Sequence, residues 1–355
     1  MRALVVTSVH RADDPRVRER TVVTLALGMT VRFAGREPGP SRTGDHEWVP
    51  LRGGRIRRWC AALRQMLRGD VAVVSVHDPE LIPAGLVARV LRRVPVVVDV
   101  HEDVPAQIRV KEWIPTVLRG PAAWTAHRFL RMAERWCVVT LAEPGYRRLF
   151  RGDHPVFANY PAAGSLPEPA ADEGYAVYVG DVTVARGALG MVEALSAMEH
   201  PVPLRVVGRV AQDLAKQMME RAARKDLDLT LMGPLPHRAA MEVVAGASVG
   251  LSLLDDLPNY RWSMPTKVIE YLAMGIPVVA SDLPGTREAV EGLEGVVLVP
   301  PEDAGAAADG ISRAVAARTG LEAQAAHVRA TRVWPTDEVL ALYRAAARER
   351  SPRSL

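Results

Sequence analysis

The chain has 355 residues, 48% of them hydrophobic and 24% charged, an ordinary composition for a soluble globular protein with room for two domains. Its 45 basic and 41 acidic side chains leave a net charge of only +4, and no basic–aromatic stripe pointing to a nucleic-acid surface stands out along the sequence. Cys60 and Cys137 are too few for a disulfide framework or a zinc site, and no apolar run approaches membrane-spanning length, so a cytoplasmic protein is expected.

The first residues, MRALVVTSV, pass directly into a strand-like pattern rather than a signal peptide. Short valine-rich runs follow at 3–9, 71–76, 94–100 and 137–141, separated by helix-length segments, and this alternation predicts a parallel α/β sheet. A second set lies at 176–180, 203–208, 228–232, 248–254, 276–281 and 295–299. Between them the Pro/Ala/Gly-rich stretch NYPAAGSLPEPAADEG lacks periodicity and reads as a linker. The expected division is a domain at 1–160, a linker at 161–174, a second domain at 175–335 and a terminal helical segment at 336–355.

Candidate site residues sit where these strands end, the place at which parallel sheets hold ligands. The loop from His10 to Arg18, with Asp13, Asp14 and Arg16, leaves the first run, and His77-Asp78-Pro79-Glu80 follows the second run, where Asp78 and Pro79 equally suit a plain helix start. His101 ends the run VVVDV. Residues 55–68 form an amphipathic helix pattern with Ile56, Trp59, Cys60, Leu63, Met66 and Leu67 on one stripe and arginines outside it. That stripe suits packing on the sheet, and equally a peripheral contact with an anionic membrane at its inner face. Asp226 and Asp228 carry the only Asp-x-Asp spacing, in a charged run that reads as solvated, so no metal site is expected.

In the second half Gly180 closes a strand and is followed by a loop ending in Arg186-Gly187, where backbone and a cation can approach a phosphate. The most informative stretch is SMPTKVIEYLAMGIPVVASDLPGTREAVE, from Ser263 to Glu291. Ser263 reads as a helix cap, Pro265 as a first-turn residue, Gly275 as a left-handed stop and Ile276–Ala280 as a buried strand. Lys267 adds positive charge to a helix N-terminus, and Glu270, three residues on, shares its face and can accept hydrogen bonds from sugar hydroxyls. A phosphate and a sugar together suggest a nucleotide sugar.

This stretch resembles the donor-site signature of GT-B glycosyltransferases of the retaining family 4 type, and the resemblance covers essentially the whole chain. It implies an α/β fold of two Rossmann-like domains with parallel sheets facing a central cleft, the last helix crossing back to the N-terminal domain. It implies a donor site formed by Gly180, Arg186, Gly187, Ser263, Met264, Pro265, Thr266, Lys267 and Glu270, with Glu270 on the ribose. His101, in a run similar to the family's D-x-H-E, would meet the transferred sugar, and His77, in a turn similar to H-D-P-E-L, would lie on the acceptor side with one of Asp13, Asp14 or Arg16. The implied reaction moves a sugar from a nucleoside diphosphate sugar, UDP by default, to a hydroxyl of a glycan, lipid-linked or small-molecule acceptor, with no cofactor, metal or nucleic-acid partner. Trp262 stands where many relatives carry a second glutamate, and Asp181 where many carry an arginine. These departures keep a non-catalytic nucleotide-sugar binder in play. A sugar-nucleotide epimerase of the same fold is disfavoured by the Pro-Thr-Lys…Glu-Tyr wording. An NAD(P) oxidoreductase would need Gly-x-Gly-x-x-Gly after the first strand, where Thr7-Ser8-Val9-His10 stands instead.

Overall fold

A computed structural model describes residues 1–39, 46–111 and 113–349. The chain divides into two compact units, Met1–Asn159 with Trp334–Leu355, and Tyr160–Val333. The first unit holds strands β1 (Arg2–Arg11), β2 (Thr30–Arg36), β3 (His46–Leu51), β4 (Val73–Val76), β5 (Val96–Val100) and β6 (Val138–Leu141). They pair in parallel in the order β3-β2-β1-β4-β5-β6. Alternate residues of these strands are buried on opposite faces, which is why they read as continuous apolar runs. Leu4, Val74 and Val98 pack beneath helices Arg55–Met66, Ile82–Arg92 and Thr116–Trp136. Val5, Val73 and Val97 pack with Trp334 and with Val339, Leu340 and Tyr343 of the last helix, Thr336–Glu349.

Strands β2 and β3 escaped the sequence reading, for physical reasons. β2 carries a charged residue in its interior, Arg32, which is buried because Asp70 and Glu47 each meet its guanidinium at 3.0 Å. β3 contains Pro50 and lies at the sheet edge, the place a strand tolerates a missing N–H. The helix at 55–68 is present, but Ala62 and Met66 are buried and Trp59, Leu63 and Leu67 lean on the core. Its apolar stripe is thus spent on the unit's own sheet. Ile56, 82% exposed, is the one large residue of that stripe left pointing outward.

The second unit repeats the architecture with β7 (Ala176–Val179), β8 (Leu204–Val207), β9 (Leu229–Gly233), β10 (Val249–Ser252), β11 (Val278–Ser281) and β12 (Val296–Val299), in the order β12-β11-β10-β7-β8-β9. Both orders are the doubly wound one, in which the winding reverses between the unit's first and fourth strands and leaves a crevice at their carboxyl ends. The proline-rich stretch read as a linker has no helix or strand and is fastened to this unit. The Ser248 hydroxyl donates to Asp172 at 2.6 Å, the Glu173 N–H to the Gly246 carbonyl at 2.9 Å, and Arg318 to the Ala170 carbonyl.

The carboxyl ends of β7 and β8 come together as bare backbone. Gly208 has φ +153°, and a Cβ on it would lie 1.8 Å from the Gly180 carbonyl oxygen. Gly208→Ala is therefore expected to cost about 3 kcal/mol or more, through a clash that no rotamer relieves. Chemical denaturation followed by circular dichroism should show it, and a variant as stable as the parent would refute the close approach.

Candidate functional site

Each unit gathers polar side chains at the carboxyl end of its sheet. In the second unit, helix Thr266–Ala273 begins with Pro265 as its N-cap and no side-chain cap. Ser263 is therefore not the cap that the sequence suggested; it lies two residues earlier, in the turn leading to the helix. Proline at the boundary forgoes a donor that the first turn does not need. Tyr271 and Leu272 of this helix are buried, and the Val179 N–H donates to the Tyr271 hydroxyl at 2.9 Å, which locks the helix against the end of β7. Gly275 ends it with φ +70°, as expected.

This anchoring sends Lys267 across the end of β7. Its Nζ lies 3.6 Å from the centre of the Tyr178 ring and 3.3 Å from where a Gly180 Cβ would stand. The ammonium is shielded from solvent and has no hydrogen-bond acceptor among the described residues. Burial drives its pKa well below the usual lysine range, the neighbouring Arg186 adds to this, and Glu270 and Asp181 oppose it. Arg186 lies 5.7 Å from the Tyr260 ring, and its charge is retained against burial by its contacts with Tyr260 and Tyr178. Gly187 has φ +77°, and a Cβ there would meet the Leu253 carbonyl oxygen at 2.1 Å. That turn admits only glycine and starts helix Ala188–Ser196. Met264 and Pro265 are buried, Thr266 and Glu270 half-buried, and Glu270 faces His237 at 3.9 Å. Gly180, Arg186, Lys267 and Glu270 thus converge on the end of β7. Asp226 and Asp228 are exposed beside β9. A cavity on the other side of Gly187 is lined by Glu193, Asp255, Glu302 and Asp303, a charge unsuited to a phosphate.

The first unit's cluster is built around Asp99, the last inward residue of β5. Arg16 grips it with two hydrogen bonds, Nε to Oδ2 at 2.8 Å and Nη2 to Oδ1 at 2.7 Å, and Thr140 donates to it at 2.8 Å. Burial alone would raise the Asp99 pKa, but Arg16 and His77 hold it well below the carboxylate range. The rest of the Arg16 guanidinium goes to the Phe157 carbonyl and Asn159. Arg16, expected on the acceptor side, is instead a buried framework residue. His77 is likewise enclosed, with Nδ1 3.3 Å from Asp99 and Nε2 3.0 Å from the Ser75 hydroxyl, which also meets the Tyr343 hydroxyl at 2.6 Å. Asp13 stays exposed at the turn before the π-helix Pro15–Val22.

His101 lies above this framework. Its Nδ1 faces the Asp99 carbonyl at 3.2 Å and its Nε2 faces His10 Nε2 at 3.0 Å. Burial and the charge on His10 lower the His101 pKa, which favours the neutral ring, with Nδ1 toward the Asp99 carbonyl and Nε2 toward His10. Burial also opposes a charge on His10, but Asp14 and Asp78 outweigh it and raise its pKa to about 9. Asp78 is fixed in turn by the Thr7 hydroxyl at 2.9 Å. Sequence reasoning gave His10 and Asp99 no role of their own and read Asp78 as part of a turn or helix start; the available signal was that His10 and Asp99 lie in the last residues of β1 and β5 and that Asp78 follows β4. Among the described residues, His77, Asp99 and His101 offer ligand atoms within 4.8 Å of one another. Both Asp99 oxygens already carry Arg16, so a dication there would abut a guanidinium.

Two doubly wound units, one bearing cations at its phosphate-type turn, define the GT-B class of glycosyltransferase fold. Residues 173–317, within the second unit, match the sequence model of the glycosyl transferases group 1 family. TuaC of Bacillus subtilis (strain 168), assigned as a teichuronic acid biosynthesis glycosyltransferase, is 28% identical over 142 residues, 40% of this chain and 33% of that protein. The match thus spans a third of the length of that curated relative. Among solved structures, sucrose-phosphate synthase from Thermosynechococcus elongatus superposes with TM-score 0.78 at 18% identity, covering 97% of this chain and 98% of that one. Anabaena HepE in complex with UDP superposes with TM-score 0.72 at 15% identity, covering 98% and 100%. Both share the fold.

The His10 cluster has a pH signature. His10 is raised from 6.5 to about 9, so its stabilising contribution is complete below pH 6.5 and is lost as pH rises through about 9. Asp14 is lowered from 3.8 to about 2 by burial-opposed contacts to His10 and the Val17 N–H, so its share is present above pH 3.8 and is lost toward pH 2. His10→Asn should therefore cost most stability near pH 6 and little above the folded-state pKa of about 9. Urea unfolding of both proteins across that range measures it; a cost independent of pH would contradict the pairing.

Proposed function

We propose that the protein is a retaining glycosyltransferase that moves a sugar from a nucleoside diphosphate sugar to an acceptor hydroxyl. The observation that carries this reading is the shielded Lys267 ammonium, without an acceptor, beside Gly180 and Arg186. A diphosphate supplies the negative charge and acceptor oxygens that such a group lacks, and Glu270 on the same helix face suits ribose hydroxyls. The match of residues 173–317 to a glycosyltransferase family supports the same conclusion. UDP is the favoured nucleotide because HepE, which shares the fold, binds UDP and UDP-glucose. The transferred group is then a hexose.

In the proposed reaction the bond from the sugar's anomeric carbon to the diphosphate breaks, and its electron pair leaves with the nucleotide. The acceptor oxygen bonds to the same face of that carbon, and its proton passes to the departing phosphate oxygen. Lys267 and Arg186 stabilise the growing negative charge as fixed cations, which makes a metal unnecessary. His101 serves as a contact to the sugar rather than a general base, because its Nε2 lone pair already accepts from the charged His10. The acceptor, a glycan, glycolipid or small molecule, is assigned to the first unit.

Thermal stabilisation by UDP, GDP, dTDP and ADP in the presence of EDTA tests the donor site. A nucleotide at a hundred times its dissociation constant stabilises by about 2.7 kcal/mol, a readable shift. One nucleotide should do so in the parent and fail in Lys267→Ala. Silence from all four, with Mg²⁺ then supplied, would sink the reading.

A further inference from the structure

The first unit carries an outward face that its own packing does not use. Helix Val104–Val110 leads through Trp113 into helix Thr116–Trp136. The longer helix buries Ala123, Ala126, Leu130 and Ala133 on the core, a spacing that leaves Val117, Pro121, Trp124, Arg128 and Arg135 on the opposite stripe. Val117 is 81% exposed, Trp113 69% and Trp124 65%, with Val110, Leu118 and Trp136 exposed beside them. Each exposed tryptophan of this face has a cation against its ring: Lys111 at 5.9 Å from Trp113, Arg128 at 5.8 Å from Trp124, and Arg135 at 5.3 Å from Trp136. From Val104 to Trp136 the sequence holds Arg109, Lys111, Arg119, Arg128, Arg131 and Arg135 against two acidic residues, Glu112 and Glu134.

We infer that this face docks on an anionic lipid bilayer. Tryptophan prefers the headgroup level, where its ring is half solvated, and aliphatic side chains between the rings reach the acyl boundary while arginine and lysine meet lipid phosphates. Charge complementarity selects an anionic surface. The exposed Val110, Val117 and Leu118 select lipid over nucleic acid, which would stack on the rings but has nothing to cover the aliphatic side chains. The inference is independent of the donor-site reading. It also moves the membrane contact expected of residues 55–68 to a different surface.

The test is co-sedimentation of the whole protein with vesicles of equal parts phosphatidylcholine and phosphatidylglycerol, against vesicles of phosphatidylcholine alone. Binding to the mixed vesicles only is expected, with tryptophan emission quenched by brominated lipid. A Trp113→Ala, Trp124→Ala double variant and a Lys111→Glu, Arg128→Glu double variant should each bind about tenfold more weakly. All four substitutions are on the surface, and unchanged melting temperatures show that the variants are folded. Absence of binding to anionic vesicles, binding by both variants as tight as the parent's, or a concentration-dependent dimer that quenches the same tryptophans without lipid would overturn it. So would tighter binding to single-stranded RNA than to vesicles.

Discussion

The first unit depends on one buried carboxylate. Asp99 would be untenable alone, because burying an unpaired charge costs several kcal/mol, and its solution is a bidentate arginine reaching back from the loop after β1. That pair fixes more than itself. It pins the π-helix Pro15–Val22 over the sheet, orients His77 from below and leaves the Asp99 carbonyl to receive the His101 Nδ1–H. Arg16 also stacks 4.9 Å from the Trp334 ring, and Tyr343 of the last helix reaches Ser75 beside His77. The terminal helix therefore closes the buried cluster beneath His101, although it is far from it in sequence.

The second unit solves a different problem. It must hold a cation close to bare backbone without a resident carboxylate to neutralise it. Gly180, Gly187 and Gly208 give the backbone room, and the Tyr178 ring takes the place of an acid under Lys267. An aromatic face attracts an ammonium without donating an oxygen to it. The charge is thus disfavoured by burial and by Arg186, and Glu270 and Asp181 work against that.

Much of this was legible in the sequence because parallel strands buried on both faces announce themselves as valine runs, and because helix starts and glycine stops have fixed chemistry. Ten of the twelve strands among the described residues were visible on that account. Those missed, β2 and β3, hide a buried arginine and an edge proline, features that periodicity scores as loop. At the site, position at a strand end was the useful signal and residue type was not. Arg16 and His101 both end or follow strands and both looked ligand-facing, yet one is consumed by Asp99 and the other lies above it. Only the partner Asp99, distant in sequence from Arg16, distinguishes them. The Ser263 cap failed for a local reason, since Pro265 occupies the cap position itself.

The same elementary contact, a cation against an aromatic ring, serves two ends in this chain, and solvent decides which. Under Lys267 the pair is buried, so the charge is costly and the site favours an anion that can reach it. On helix Thr116–Trp136 the pairs are exposed, so the cations remain hydrated and the unfavourable element is the apolar ring and its aliphatic neighbours. Relief there requires a partner that is anionic and apolar at once, which is the description of a lipid surface. No basic–aromatic stripe was apparent in the linear sequence because its members are three and four residues apart and separated by buried alanines. The helix brings them into line, and a pattern that is weak in one dimension becomes a continuous face in three.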